Sequence, residues 1–334
     1  MSDIRRRAIV LVLASATLVN GTRLAALVAP QDKPTPAPAT QQTSEQQDAS
    51  ALSQAVDAVA AGRPPTDTFV SWLGNHFIRS QGDSIYVPFT VSIDKAALPS
   101  PTAAIYVRAV SRQPAAAGAP RFAWESTHFV DVPAPGQVSR AIALTPGTYD
   151  LFVAVKEKGA GGAVGRVGVL RQELVVPPSS ADLSTSSVIL ARALEQLPAP
   201  LPPEQQQDNP YVFGPLRVVP VPDGRFAKNA DLQVLFWIYG ASQTAGKPDV
   251  QVEFSFHHRL PEGEKYFNRT NPQELNAKTL PAEFNLTAGH QLLSSLLIPL
   301  TSFPPGPYRL EIKVTDKPSG RSLTNNVNFT VAAA

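Results

Sequence analysis

One stretch of this chain occurs twice. Residues 146–158 read Pro-Gly-Thr-Tyr-Asp-Leu-Phe-Val-Ala-Val-Lys-Glu-Lys, and residues 305–317 read Pro-Gly-Pro-Tyr-Arg-Leu-Glu-Ile-Lys-Val-Thr-Asp-Lys. In the second copy Tyr308, Leu310, Ile312 and Val314 alternate with Arg309, Glu311, Lys313 and Thr315. Such alternation is that of a strand with one face in a core and the other in water. In the first copy Tyr149, Leu151, Val153 and Val155 form the same row, but Phe152 and Ala154 interrupt its polar side. That outer face is therefore expected to be partly covered. Proline fixes φ and glycine accepts positive φ, so the Pro-Gly before each tyrosine marks a turn.

A tyrosine just after a turn, at the head of a strand, resembles the tyrosine corner of immunoglobulin-like domains, in which the hydroxyl bonds to backbone a few residues upstream. The alternative is a tyrosine that only packs, with its hydroxyl in water. Further strand candidates lie at 69–73, 83–91, 103–110, 122–132, 138–144 and 166–176, and again at 216–221, 230–239, 249–257, 291–300 and 323–331. The expected fold is all-β: two immunoglobulin-like antiparallel β-sandwiches in tandem, with one short helical segment before the first and another between them.

The chain accordingly divides into five parts. Residues 1–29 read as an export signal or an uncleaved anchor, with Arg5, Arg6 and Arg7 ahead of an apolar run too short to span a bilayer unaided. Residues 30–65 form a Pro- and Gln-rich tether that ends in a weak helix at 48–61, with Asp48 or Ser50 as its cap. Residues 66–178 are the first sandwich. Residues 179–208 are a linker, in which Val188, Leu190, Leu194 and Leu197 suit one side of a helix over 184–197. Residues 209–334 are the second sandwich, with an insertion at about 260–290.

The formal net charge of +2 gives no broad field for nucleic acid, and no nucleic-acid partner is expected. The absence of cysteine removes disulfides and thiolate metal sites. It leaves export open, since a chain of 334 residues buries adequate cores without staples. Asp182-Leu-Ser184-Thr-Ser186 matches the adhesion-site pattern of von Willebrand A domains, but no α/β alternation surrounds it, and the run is read as a Ser-rich helix cap. His257 and His258 are adjacent, so in a strand they point to opposite faces and do not share a metal. No nucleophile elbow, phosphate loop or zinc-protease pattern is present. No catalytic, cofactor-binding or metal residue is assigned, and no cofactor is expected. The insertion places Tyr266, Phe267, Arg269 and Asn271 among polar residues. These four are the candidate interaction surface, with a loop covering the sandwich's own edge as the alternative.

Asn209 to Pro220, Phe226 to Tyr239, Leu183 to Ala191 and the Pro-Gly-x-Tyr-x-Leu strand together resemble the β-rich regions of secreted acidobacterial proteins, the GWxTD-domain and von Willebrand A-related groups. The resemblance covers roughly residues 140–331 and lacks both the Gly-Trp-x-Thr-Asp stretch and an A domain. It implies an exported bacterial protein and carries over no site residue. The expected role is a non-catalytic envelope protein whose tandem domains serve interaction or scaffolding. Its partner would be another envelope or extracellular protein, and it would meet the membrane only through an N-terminal anchor. The alternative is a carbohydrate-binding or accessory module that uses Trp72, Trp124 or Trp237 as a stacking platform. A hydrolase has no motif in its favour.

Overall fold

Where the sequence alternates, the chain forms strands and the apolar row lies in a core. The computed structural model describes residues 43–80, 82–114, 118, 120–159 and 165–333. The expected export segment 1–29 and the tether up to residue 42 lie outside the described residues. Among those described, no helix is long and apolar enough to cross a membrane.

The N-terminal half contains helix α1 (Ser44–Ala60) and eight strands: β1 (Val70–Asn75), β2 (Ile78–Arg79), β3 (Ile85–Ile93), β4 (Thr102–Ser111), β5 (Trp124–Asp131), β6 (Gln137–Leu144), β7 (Gly147–Glu157) and β8 (Val167–Val176). Strand β3 pairs with β1 and β2 along one edge and with β6 along the other. The facing sheet runs β5-β4-β7-β8. Between the two sheets Val87, Phe89 and Val91 of β3 meet Ile105 and Val107 of β4 and Leu151, Val153 and Val155 of β7.

The C-terminal half continues with β9 (Ser184–Thr185), β10 (Ile189–Gln196), the short helix α2 (Pro203–Gln206), β11 (Val212–Phe213), β12 (Leu216–Pro220), β13 (Arg225–Phe226), β14 (Asp231–Tyr239), β15 (Gln243–Thr244), β16 (Lys247–Pro248), β17 (Val250–Leu260), β18 (Gly263–Arg269), β19 (Gln273–Leu275), β20 (Leu292–Pro299), β21 (Gly306–Asp316) and β22 (Arg321–Val331). The first ladder recurs. Strand β14 stands where β3 stood, with β9 and β10 along one edge and β20 along the other. Strands β18-β17-β21-β22 repeat β5-β4-β7-β8. The second half adds β12 and β11 beyond β10 and a parallel β13 beside β22.

Three expectations are corrected. The helix foreseen over 184–197 is instead β9 and β10, so this segment is part of a sheet. Ile189 and Ala191 face one core and Leu190 another, and a short run buried on both faces carries no period that separates strand from helix. The same pairing makes β9 and β10 the counterpart of β1 and β2, and the strand at 216–220 is an addition. The reading of Asp182 to Ser186 as a helix cap falls with that helix, since the Ser186 hydroxyl instead accepts from the backbone N–H of Trp237 at 3.0 Å. Finally, α1 starts earlier than expected. Thr43 caps it in a capping box with Gln46, and Asp48 lies fully buried inside it.

Helix α1 covers the outer face that Phe152 and Ala154 had marked. Leu52 and Val56, both fully buried, pack on Ala104, Tyr106, Phe152, Ala154 and Val169. Asp48 accepts from the ammonium of Lys156, itself 2% exposed, and from the backbone N–H of Gly159 at 2.8 Å. Arg108 reaches Asp57 at 2.5 Å, Ser53 at 2.9 Å and Tyr106 at 2.7 Å. A buried ion pair adds little net stability, but breaking it strands a charge, so the buried Asp48–Lys156 pair, with the buried guanidinium of Arg108, fixes where the helix sits.

The halves meet face to face. On β14, Leu232, Val234, Phe236 and Ile238 point into the C-terminal core, while Leu235 and Trp237 point the other way, toward Ile78 and Tyr86 of the N-terminal sheet. Backbone joins them: Phe77 N–H donates to Ser187 Oγ at 2.8 Å and Ser187 N–H to Phe77 O at 2.9 Å. Tyr86 Oη donates to Pro210 O at 2.9 Å, and His76 Nδ1 lies 3.0 Å from Tyr211 Oη. Burial pushes the hydroxyls of Tyr86 and Tyr211 up, and that of Tyr239 to about 12.

Both repeated tyrosines send the hydroxyl back along the chain, Tyr149 to Thr145 O at 2.9 Å and Tyr308 to Pro304 O at 2.8 Å. The preceding glycines have φ of 153° and 141°, which a side chain would strain. Replacing Tyr308 by Phe leaves the Pro304 carbonyl unpaired, and the urea midpoint should fall by an amount worth about 1 kcal/mol. Acid should also loosen the fold. Desolvation lowers His76 and His128 to about 4, with the Arg140 charge adding to the shift at His128. The unfolded chain therefore binds more protons than the native one between the ordinary histidine value of 6.5 and about 4. Stability should be full above that window and fall as pH drops through it. Melts of a His76→Gln, His128→Gln protein should show a flatter acid limb.

Candidate functional site

The candidate surface is built on the β17–β18 hairpin. Pro261 and Glu262 form its two-residue loop, and β18 is the edge strand of its sheet. A bulge between Phe256 and His257 breaks the register, so that His257 faces Tyr266 while Phe256 faces Asn268. Phe267 is the extra residue. It turns inward against Phe303, at 4.8 Å between ring centroids, and Tyr308, at 5.6 Å. Tyr266 stays outside, 59% exposed, edge-on to the His257 ring at 6.0 Å. Arg269 pairs with Ser255 and is exposed, and Asn271 is exposed in the loop beyond the strand. Of the four residues expected at an interaction surface, then, Tyr266 and Arg269 share the open side of the hairpin, Asn271 flanks it, and Phe267 belongs to the core.

The open face carries its own ion pairs. Arg309 lies 2.7 Å from Glu264 and 2.7 Å from Glu311, and Arg259 lies 3.2 Å from Glu264. Arg309, with Arg259 adding to it, holds the Glu264 carboxyl at about 2. The face is thus charged at all moderate pH, internally matched, and carries one projecting aromatic ring. In the N-terminal half the equivalent face lies under α1. The seat differs because Phe152, Ala154 and Lys156 there correspond to Glu311, Lys313 and Thr315 here. An apolar helix side has nothing to bury against in the second copy.

The remaining candidates scatter. His257 lies on the open face and His258 on the core side, stacked on Tyr308 at 4.4 Å, as adjacent strand residues must. Among the described residues, no group of three His, Cys, Asp or Glu side chains could hold a metal ion. Asp182 pairs with Arg321 at 2.9 Å. Trp237 is 1% exposed in the junction, Trp72 stacks on Phe89 at 5.2 Å, and Trp124 donates to Ser126 Oγ at 3.0 Å. The three indoles therefore form no common platform.

No family model and no curated protein matches this sequence. Similar solved structures include the trypsin-activated alpha-2-macroglobulin of Escherichia coli (12% identity, 80% of this chain and 17% of that one, TM-score 0.23). Others are a putative membrane-anchored protein of Corynebacterium diphtheriae (10%, 81% and 60%, TM-score 0.23) and red sea bream transglutaminase (11%, 83% and 33%, TM-score 0.20). The chain spans less than two thirds of each, and likeness at this level assigns no function.

The two aromatic neighbours on β18 should respond oppositely to truncation. Phe267→Ala should cost roughly 2 kcal/mol in urea unfolding, below the range for a wholly buried phenylalanine. Tyr266→Ala should stay within about 0.5 kcal/mol of the parent.

Proposed function

We propose that this chain is a non-catalytic, exported bacterial envelope protein in which two immunoglobulin-like sandwiches in tandem serve as an interaction or scaffolding body. One observation carries the reading: two equivalent sheet faces are finished differently. The first is closed by α1, while the second is left to water with Tyr266 projecting from a matched set of charges. An aromatic ring beside arginines, on a rigid edge hairpin, suits a protein contact. The joined halves support a scaffold, because a shared apolar junction resists the independent motion usual between domains. Export rests on the character of residues 1–29 and on the resemblance to secreted acidobacterial proteins. The partner is then another envelope or extracellular protein.

Photo-crosslinking in intact cells tests both parts of the reading. A benzophenone side chain at position 266 of the full chain should give an adduct with an envelope protein, and the same group at exposed position 175 should not. Absence of an adduct at 266, or equal labelling from both positions, would overturn the assigned face. Recovery of the chain in the cytoplasmic fraction would overturn export.

A further inference from the structure

The junction between the halves does not close completely. It leaves a cleft of about 420 Å³ at the end of β2, β14 and β20. Arg79, Tyr239, His290 and Gln291 supply polar lining, Leu286 and Leu292 apolar lining, and among the described residues no aspartate or glutamate lines it. Ligand sites favour such seams, where two rigid walls converge and polar groups aim into one space.

The arginine is held but not neutralised. Its guanidinium carbon lies 4.4 Å from the centroid of the Tyr239 ring. Nη2 donates to Ser180 O at 2.7 Å and to Ser184 Oγ at 3.3 Å, both uncharged acceptors, and the backbone N–H of Arg79 donates to Tyr239 Oη at 3.1 Å. The other well-covered arginines are treated differently: Arg108 meets Asp57, Arg140 meets Asp208 and Arg309 meets Glu264. Among the described residues, no carboxylate pairs with Arg79. The Tyr239 ring backs the guanidinium, whose Nε and Nη1 N–H groups remain beyond the Nη2 bonds, each able to donate to a carboxylate oxygen. A second donor lines the same cleft. His290 Nδ1 accepts from the backbone N–H of Asn285 at 3.1 Å, so the proton of the neutral ring is at Nε2.

We propose that this cleft binds a monocarboxylate with a compact apolar body. Arg79 holds the carboxylate, His290 and Gln291 add neutral donors, and Leu286 and Leu292 cover the hydrocarbon. One full positive charge matches a single negative one, and a dianion would keep charge unmatched in a half-apolar space. The same group could come from a free organic acid or from the C-terminus of a peptide.

Ligand-observed NMR titration of the full chain tests this with 4-methylpentanoate and with acetyl-Gly-Gly-Leu bearing a free C-terminus. The controls are the two corresponding amides and inorganic phosphate. Saturable binding of an acid, at least about tenfold tighter than its amide, is expected. Tighter binding of the short acid assigns a free organic acid, and the reverse assigns a peptide terminus. Arg79→Gln should weaken the acid by about tenfold or more. Gln291→Glu should do the same by placing a carboxylate in the cleft while keeping every Arg79 bond, and it decides the matter if Arg79→Gln does not fold. The proposal is overturned by no saturation up to about 10 mM acid, by equal binding of acid and amide, by phosphate binding more tightly than either acid, or by unchanged affinity in Gln291→Glu.

Discussion

A strand that is apolar on both faces is stable only between two layers, and β14 is such a strand. Its even-numbered residues, Leu232 to Ile238, fill the C-terminal core, and Leu235 and Trp237 fill the junction. Exposing either set to water would cost on the order of several kcal/mol, at about 25 cal/mol per Å² of apolar surface. The second half therefore needs a cover for its outer sheet, and the first half, together with the 209–218 segment, provides it. The interlocked backbone of Phe77 and Ser187, the tyrosine hydroxyls buried at the seam and the cleft beside Arg79 all follow from that need.

The two copies show one ladder put to two uses. In the first, Phe152 and Ala154 make an apolar seat, and Lys156 buried beside it requires a counter-charge, which Asp48 of α1 supplies. In the second, Glu311, Lys313 and Thr315 make the same positions polar, so water is cover enough and Tyr266 is left projecting. The difference extends to the neighbouring strands, since Ala104, Tyr106 and Val169 stand where the second copy has Gln251, Glu253 and Thr324, and it is read out as a helix on one face and an open surface on the other.

Much of the ladder could be read from the residues because one-sided burial writes itself as alternation. The strands at 85–93, 102–111, 147–157, 231–239 and 306–316 lie within a residue or two of the expected places, apart from slightly longer ends. What could not be read depended on distant partners. The segment 189–196 has helical spacing when taken alone and becomes a strand because β14 offers it an edge. Phe267 looked like a surface aromatic because a bulge, which moves a side chain from one face to the other, leaves no mark in composition. Arg79, Tyr239 and His290 are far apart in sequence, and each is an ordinary residue until the junction brings them to one cleft.

The attachment of α1 has a mechanical consequence. Any tension arriving from the segment before Thr43 enters the folded body through this helix rather than through a strand. Its hold on the sheet consists of side-chain contacts around Leu52 and Val56 and of the Asp48 and Arg108 clasps, without an inter-strand hydrogen-bond ladder. Under load the helix would peel away first, taking up slack while the sheets of both halves and the seam between them stay intact.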